Sequence, residues 1–259
     1  MSFADLHRRD TPLVLPNAWD VPSALSLVAS GFAAIGTTSF GVAASSGVPD
    51  GGRATAEANL ALARALAGVA DYVSVDIEDG YSDDPDQVAE YAAALPADGI
   101  NLEDSGGDGL IPVEVHAAKI AAVKRRCPGL FVNARTDTYW LGQHASTEAT
   151  IERAGAYLRA GADGIFVPGA TDADVLRELA THIAAPLNVL PVPGKTVAAL
   201  GALGVRRIST GSLPYRAAVH TAVTAALAVR DGGAVPEAVA YAELQARLVS
   251  YSEDRGGVS

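Results

Sequence analysis

Short apolar runs alternate with longer amphipathic stretches along most of this chain. Each run is hydrophobic at nearly every position, which is typical of parallel strands that are covered on both faces. The pattern therefore predicts eight strands. They cover Leu13–Pro16, Ala33–Thr37, Tyr72–Ile77, Gly99–Leu102, Leu130–Ala134, Gly164–Val167, Pro186–Leu190 and Arg206–Thr210.

Segments rich in Ala and Leu, with helical periodicity, lie between these runs. Ser146 stands where an N-cap is expected, and Gly31 and Gly204 stand where helices would end. The predicted helices cover 21–30, 53–69, 85–94, 113–126, 147–160, 171–183, 195–203 and 213–230, with a short helix at 236–250.

Eight strand–helix units predict an α/β fold, either a closed barrel or a long doubly wound sheet. The doubly wound fold normally has a Gly-rich phosphate turn after its first strand, and Pro16–Asp20 is not such a turn. We therefore predict a single (β/α)8 TIM barrel domain over residues 1–259. The barrel covers about 13–230, and residues 231–259 form a short C-terminal helical extension.

Composition and charge exclude several classes of protein. The 259 residues are 49% hydrophobic and 19% charged, so the chain can bury a large core. A net charge of −11 argues against binding to nucleic acid or anionic lipid. A single cysteine excludes an internal disulfide, and no secretory or membrane-spanning segment is visible. These features predict a soluble, cytoplasmic protein.

Carboxylates gather at the predicted mouth of the barrel, where the chemistry of such folds lies. Asp76 and Glu78 end the third strand, Glu103 ends the fourth, and Asp50 lies in the loop after the second. Like charges at this density call for a cation, and oxygen ligands without His or Cys favour Mg²⁺ or Mn²⁺. A solvated acidic rim is the alternative, but Asp76 and Glu103 each directly follow a buried strand.

Other polar residues at this end are candidates for substrate binding. Arg135, at the end of the fifth strand, is either an ion-pair partner of the carboxylates or a clamp for a substrate carboxylate. Asn188 lies in an apolar run and satisfies a loop carbonyl or faces a ligand. Thr38, Ser39 and Phe40 form either a carboxylate cradle or an ordinary turn.

Two kinds of covalent chemistry are disfavoured. The chain has only three lysines, and none lies on a predicted strand, which argues against a Schiff-base aldolase. Cys127 precedes the fifth strand on the N-terminal side of the barrel, so a nucleophilic role is not expected.

These motifs together resemble the isocitrate lyase / phosphoenolpyruvate mutase superfamily, particularly its shorter phosphonomutase-like members. Asp76–Tyr81 resembles the D-x-D-x-G-[YF] motif of that family, and Leu102–Asp104 resembles its I-E-D motif. Ala134–Asp137 is similar to A-R-[TV]-[ED], and Thr38–Asp50 is similar to the loop after the second strand. The resemblance covers about Leu13 to Ala218.

The resemblance implies a Mg²⁺ (or Mn²⁺) site formed by Asp50, Asp76, Glu78 and Glu103, partly through water. Glu78 stands where the family usually has Asp. It further implies that Arg135 and the backbone of Thr38–Phe40 hold the carboxylate of a 2-oxo acid or its enolate. Family members are dimers or tetramers in which the eighth helix packs on a neighbouring barrel, so a homo-oligomer is expected.

One departure from the family concerns the loop after the fourth strand. The lyases carry a K-K-C-G-H type motif there, whereas this chain has Ser105–Pro112 without Cys, Lys or His. The Lys and Asn of the mutases' gating loop are also absent. Cleavage of isocitrate or methylisocitrate and phosphonate chemistry are therefore not supported.

We predict a Mg²⁺-dependent enzyme that acts on a small 2-oxo or 2-hydroxy carboxylate through an enolate-like state. Carbon–carbon cleavage or decarboxylation is the favoured outcome. Alternatives are a binding protein that has lost turnover and a phosphoryl transfer like that of phosphoenolpyruvate mutase. For proton transfer Tyr81, Asp104 and a metal-bound water remain open. The predicted catalytic residues are Arg135, Glu103 and Tyr81, and the predicted substrate-binding residues are Thr38, Ser39, Phe40, Asp76, Arg135 and Asn188.

Overall fold

The computed structural model describes residues 1–107 and 109–256. Eleven strands lie in this part of the chain. They are β1 (Leu13–Leu15), β2 (Asn17–Ala18), β3 (Ala34–Thr37), β4 (Tyr72–Asp76), β5 (Gly99–Glu103), β6 (Ser105–Gly106), β7 (Gly109–Leu110), β8 (Phe131–Arg135), β9 (Gly164–Phe166), β10 (Leu187–Val189) and β11 (Val205–Ser209).

Twelve helices accompany them in the described residues. They are α1 (Phe3–Leu6), α2 (Val21–Ala29), α3 (Ser39–Ser45), α4 (Ala56–Leu66), α5 (Pro85–Ala94), α6 (Val113–Arg126), α7 (Thr138–Leu141), α8 (Thr147–Arg159), α9 (Ala173–His182), α10 (Val197–Ala202), α11 (Leu213–Asp231) and α12 (Tyr241–Gly256).

Nine parallel strands form one sheet in the order β1-β11-β10-β9-β8-β5-β4-β3-β2. β1 and β2 are two halves of the same barrel strand, separated at Pro16, which has no N–H to donate to a ladder. β1 pairs with β11 and β2 pairs with β3, so this one segment joins both ends of the sheet. The eight predicted strands and the TIM barrel are thereby confirmed.

Alternation along the strands separates an apolar exterior from a polar interior. Val75, Ile100 and Val132 are fully buried in the large core between the sheet and its helices. Their neighbours Ser74 and Asn101 instead meet inside the barrel, where both accept hydrogen bonds from one arginine. The polar residues at the strand ends lie on this inward face.

The helices from α2 to α11 that were predicted agree with the observed ones to within about three residues, whereas the helix predicted at 236–250 is found at Tyr241–Gly256. Five short elements were not predicted. These are α1, α3, α7 and the antiparallel pair β6–β7. Each has seven residues or fewer, which is too short for a helical or strand period to show in the sequence. α1 covers the N-terminal end of the barrel, where Phe3 packs edge-to-face on Phe131 with ring centroids 5.5 Å apart.

The last two helices are attached differently. α11 has no buried residue, and Val219, Val223 and Leu227 are exposed along one side of it. α12 is anchored by the hydroxyl of Tyr251 and the guanidinium of Arg255, which donate to carbonyls at the end of α4. Within the described residues, we find no helix with the length and apolar character needed to cross a membrane.

Candidate active site

A cavity of about 660 Å³ opens at the C-terminal end of the barrel strands. Seven of the ten predicted site residues line it, whereas Glu78, Tyr81 and Asn188 do not. The seven are Thr38, Ser39, Phe40, Asp50, Asp76, Glu103 and Arg135.

Asp76 is fixed at the floor of this cavity by the neighbouring strand and helix. Its backbone N–H donates to the hydroxyl of Thr37 over 2.9 Å, and its Oδ2 accepts the N–H of Ser39 over 3.1 Å. Thr38 caps α3 by accepting the N–H of Gly41, so the first turn of that helix is held beside the Asp76 carboxylate.

Asp50 reaches the same cavity from the loop after α3. Burial raises the pKa of the Asp50 carboxyl, and the charge of Asp76 raises it further. A hydrogen bond with Ser39 acts in the opposite direction. Asp50 and Asp76 therefore lie close enough for the charge of Asp76 to disfavour the ionised form of Asp50.

Glu103 and Arg135 form the opposite wall, on the adjacent strands β5 and β8. Arg135 donates through Nη1 to Glu103 Oε2 and through Nε to Asp137 Oδ1, both over 2.6 Å. Burial raises the pKa of Glu103 well above its usual range, although Arg135 opposes the rise. Burial alone would lower the pKa of Arg135, but the charges of Glu103 and Asp137 outweigh it and raise that pKa.

The loops after β4, β5 and β8 each carry a further carboxylate that does not line the cavity and is paired with a cation. Asp79 is buried between Arg53 and Lys119. Asp137 pairs with Arg135 and accepts the hydroxyl of Ser105. These acids hold the loops in place, which explains why only one acid per strand faces the cavity.

Asp104, at the end of β5, is a third such acid and has no exposed surface. Its Oδ1 accepts the N–H of Asp137, and its Oδ2 accepts Arg153 Nε and the Tyr157 hydroxyl over 2.6 Å each. All of these contacts connect the β5 and β8 ends to α8. The proton-transfer role considered for Asp104 is therefore not supported by its position.

Glu78 and Tyr81 lie behind the cavity rather than in it. Both oxygens of Glu78 are occupied, one by the hydroxyl of Thr55 and the other by the N–H of Arg53. The hydroxyl of Tyr81 lies 3.2 Å from Asn59 Nδ2 and 3.3 Å from Thr55 Oγ1. Neither side chain reaches the space that a substrate would occupy.

The backbone explains this placement, because the chain after β4 turns sharply. Glu78 and Tyr81 adopt φ values of 50° and 63°, in the left-handed region that non-glycine residues seldom occupy. Gly80 has φ 93°, and a Cβ there would lie 2.6 Å from Val88. Such strain is characteristic of functional sites, and here it directs Glu78 toward Thr55.

Asn188 is buried inside the barrel. Its Nδ2 donates to Ser209 Oγ over 3.0 Å, while its Oδ1 has no protein partner. The sequence correctly singled out a buried polar residue but not the layer in which it lies, because that depends on the stagger of the strands.

Several cavity residues were missed by the sequence reasoning. Asn17, Asn101, Ser209, Trp140 and Arg216 line the cavity but were not among the predicted site residues. The signal for Asn17, Asn101 and Ser209 was available, since each is a polar residue in a strand otherwise rich in apolar ones. Trp140 and Arg216 lie on helices, and only the fold brings them to the mouth.

The donor set of this cavity fits Mg²⁺. Three carboxylates line the cavity, and burial raises the pKa of both Asp50 and Glu103, which a cation would offset. Among the described residues, no group of three or more His, Cys, Asp or Glu side chains is arranged so that it could hold a metal ion directly, so water molecules would have to complete the coordination. Mg²⁺ usually keeps several waters and binds through one or two carboxylates, so the arrangement suits it better than zinc.

Comparison with known proteins places the chain in a family. A family model described as phosphoenolpyruvate phosphomutase matches residues 3–230. An uncharacterized protein of Mycobacterium tuberculosis is 62% identical over 97% of both chains. The 2-methylisocitrate lyase of Bacillus subtilis is 32% identical over 68% of this chain and 61% of the lyase.

Solved structures with the same fold lead to the same group. A phosphonomutase-like protein of Burkholderia cenocepacia superposes with a TM-score of 0.81 at 37% identity, over 86% of this chain and 96% of the other. A phosphonopyruvate hydrolase in complex with oxalate and Mg²⁺ superposes with a TM-score of 0.79 at 24% identity, over 98% of this chain and 96% of the other.

Proposed function

Since this chain belongs to the phosphoenolpyruvate phosphomutase family, we propose that it is a Mg²⁺-dependent enzyme that cleaves a carbon–carbon bond in a small 2-oxo carboxylate. The observation that carries the proposal is the cavity in which Asp50, Asp76 and Glu103 face Arg135 and the first turn of α3. Carboxylates and an arginine within one cavity suit a metal and an anion that bind together.

Asp76, Asp50 and Glu103 would hold the metal ion, with Glu78 supporting them from behind. When bound, Mg²⁺ supplies a Lewis acid for the 2-oxo and carboxylate oxygens of a substrate. The phosphonopyruvate hydrolase with the same fold binds oxalate together with Mg²⁺, and oxalate has the size and charge of a 2-oxo acid enolate.

Arg135 would orient the carboxylate of the substrate. Its Nε and Nη1 are held by Asp137 and Glu103, which fixes the plane of the guanidinium. The rings of Trp140 and Phe166 lie 5.7 and 5.9 Å from its centre. An arginine held on several sides stays in one orientation, and such preorganisation is what transition-state stabilisation requires.

The proposed reaction leaves an electron pair on the carbon next to the 2-oxo group. In decarboxylation, the bond to a departing carboxyl carbon breaks, CO₂ leaves, and the pair becomes an enolate. A proton then returns to that carbon. Tyr81 and Asp104 do not line the cavity, so Glu103 or a water molecule is better placed to supply the proton.

The lid distinguishes this chain from its lyase relatives. β6 and β7 form a short hairpin after β5, and Leu110 donates its N–H to Gln143 Oε1 over 3.0 Å. Asp108 lies outside the described residues. Since Ser105–Pro112 contains no Cys, Lys or His, we propose that the substrate does not need an acid–base group from the lid.

Phosphoryl transfer is less well supported. Of the cavity residues within the described chain, only Arg135 and Arg216 are cationic, and Arg135 is already paired with two carboxylates. A transferring phosphoryl group requires more positive charge than this. The remaining alternative is a protein that binds 2-oxo acids without converting them. Only an enzyme would consume the substrate, so a measurement of substrate consumption distinguishes the two.

We also propose a homo-oligomer. The exposed side of α11 carries Val219, Val223 and Leu227, which are 49%, 55% and 42% exposed. A row of aliphatic side chains at spacings of four residues is typical of a helix that packs against another surface.

Thermal unfolding with and without Mg²⁺ tests the metal site. We expect saturating Mg²⁺ to raise the melting temperature of the wild-type protein by several degrees, since a ligand at 100 times its Kd stabilises by about 2.7 kcal/mol. Asp76→Ala should lose most of this shift. Asp83→Ala is the matched control, because Asp83 is 89% exposed in the same loop region. Equal shifts in wild type and Asp76→Ala would contradict the proposed metal site.

A further inference from the structure

A fully buried arginine lies directly beneath the cavity and has no carboxylate partner among the residues that the structure describes. Arg207, on β11, has no exposed surface. Its Nε donates to Ser209 Oγ over 3.1 Å and its Nη2 donates to Asn101 Oδ1 over 3.2 Å, while its Nη1 has no protein partner. By contrast, Arg135, Arg153 and Lys119, which are largely shielded from solvent, each pair with a carboxylate.

Two hydrogen-bond partners of Arg207 line the cavity. Asn101 and Ser209 both line it, so one hydrogen bond separates the guanidinium from the space above. Asn101 Oδ1 accepts a second hydrogen bond from Asn133 Nδ2 over 2.8 Å. With its oxygen occupied twice, Asn101 keeps its Nδ2 hydrogens free of protein partners.

The same layer underlies the charged residues of the site. Arg207 Nη2 also lies 3.5 Å from Ser74 Oγ. Ser74, Asn101 and Asn133 each precede a cavity residue by two positions along a strand, and residues two apart share a face. Those cavity residues are Asp76, Glu103 and Arg135. The hydrogen-bond network of Arg207 therefore forms the layer of the barrel interior directly below the proposed metal-binding and anion-binding side chains.

Keeping this charge buried and unpaired is unfavourable for folding. Burial lowers the pKa of Arg207 to about 9, and the charge of Asp76 only partly opposes this effect. A buried charge without a partner costs several kcal/mol, so a purely structural position would be better filled by an apolar side chain. Functional sites are where such costs are retained.

We propose that Arg207 is a positioning residue that supplies a fixed positive charge beneath the cavity and favours the binding of a dianion such as a 2-oxo acid enolate. This role rests on the proposed function. The charge acts in opposite directions on the two ligands: it attracts the anion and repels the metal ion. A role limited to packing would weaken both.

Calorimetric titration of Arg207→Met tests this role, with Mg²⁺ alone and with oxalate at saturating Mg²⁺ as the probes. We expect oxalate to bind about tenfold more weakly, because a buried charge separated from the ligand by one side chain contributes on the order of 1.4 kcal/mol. Mg²⁺ alone should bind as tightly as in wild type or more tightly. Arg207→Gln keeps a hydrogen-bonding side chain but removes the charge, so it should also weaken oxalate binding without weakening Mg²⁺ binding. This second variant provides the test if Arg207→Met does not fold.

Arg206→Met is the matched control. Arg206 is the neighbouring arginine on β11, and its guanidinium bonds to the carbonyls of Gly201 and Val205 outside the barrel. Its removal changes the net charge equally and should leave both affinities unchanged.

Two results would overturn the role of Arg207. If the Arg207 and Arg206 variants bind oxalate alike, the buried charge has no special effect. If both Arg207 variants bind Mg²⁺ and oxalate more weakly, the residue acts through packing alone. A wild-type protein that binds neither probe would instead refute the proposed function, and this role with it.

Discussion

At the scale of single residues, the buried histidines make the stability of this protein sensitive to acid. His116 is fully buried in α6, neither of its ring nitrogens has a protein partner, and it packs edge-to-face on Tyr157. Burial, with smaller effects from Lys119 and Arg153, lowers its pKa to about 3. Burial and the charge of Arg207 lower the pKa of His7 to about 3 as well.

An unfolded histidine takes up a proton near pH 6.5, whereas the folded His116 does not until about pH 3. Stability is therefore lost as the pH falls from about 6.5 toward 3, by about 1.4 kcal/mol per pH unit for each such histidine. We expect His116→Phe to lower the pH dependence of the free energy of unfolding by about 1.4 kcal/mol per pH unit relative to wild type, in urea unfolding measured between pH 6 and pH 4. The raised pKa values of Asp50 and Glu103 act in the opposite direction in both proteins, so the comparison isolates the histidine. His182→Phe, at an exposed position, should leave the slope unchanged. A slope unaffected by His116→Phe would show that the ring is charged or solvated in the native state.

The sequence identified seven of the residues that line the cavity, because strand ends can be recognised by their pattern. Asp76, Glu103 and Arg135 each close a buried strand, and the barrel brings those ends together. The sequence could not separate Asp76 from Glu78, because that requires the left-handed turn at the end of β4. Nor could the sequence show that Arg207 faces the barrel interior. Which of the adjacent residues Arg206 and Arg207 points inward depends on how β11 is staggered against its neighbouring strands.

At the scale of elements, the two ends of the barrel have different roles. Arg135 ends β8 in the cavity, whereas Cys127 follows α6 and lines a cavity of about 510 Å³ beside Phe3 at the opposite end. A five-residue strand rising about 3.3 Å per residue separates those ends by roughly 17 Å. Direct proton transfer over that distance is excluded.

Cys127→Ser should therefore leave kcat and substrate affinity nearly unchanged, and alkylation of the thiol should not inactivate the enzyme. Arg135→Lys should lower kcat/KM by about 100-fold, since an ammonium group cannot reproduce the oriented donors of a guanidinium. Both variants are compared on one substrate at saturating Mg²⁺. If Cys127→Ser lost activity and Arg135→Lys did not, the active site would lie at the N-terminal end of the barrel, and our placement would be wrong.

Elements were predictable in proportion to their length. Helices such as α6 and α8 extend over several turns, so their apolar period and caps were visible in the sequence. α3 is different, since Ser39–Ser45 is a run of small residues that reads equally well as a loop. Its helical form matters, because the N-terminal turn of α3 holds Asp76.

At the scale of the whole molecule, α11 is where association is expected. Val223 lies in the middle of its exposed aliphatic row. We expect Val223→Glu to shift the protein toward monomer in light scattering after size-exclusion chromatography, because a charge in an apolar interface remains desolvated. Thr221→Glu is the control, since Thr221 lies on a different side of the same helix. A monomeric wild-type protein would contradict the proposed oligomer.

Turnover of 2-oxo acids is the most direct test of the central claim, which is that the cavity performs Mg²⁺-dependent carbon–carbon cleavage. A panel of 2-oxo mono- and dicarboxylates is incubated with the protein, and NMR measures how much of each compound is consumed and identifies the products. Three samples are compared: wild type with Mg²⁺, wild type with EDTA, and Asp76→Ala with Mg²⁺. We expect one class of substrate to be consumed only by wild type with Mg²⁺, with products that show cleavage next to the 2-oxo group. Consumption that is equal in EDTA or in Asp76→Ala, or no consumption in any sample despite binding of oxalate and Mg²⁺, would contradict the account.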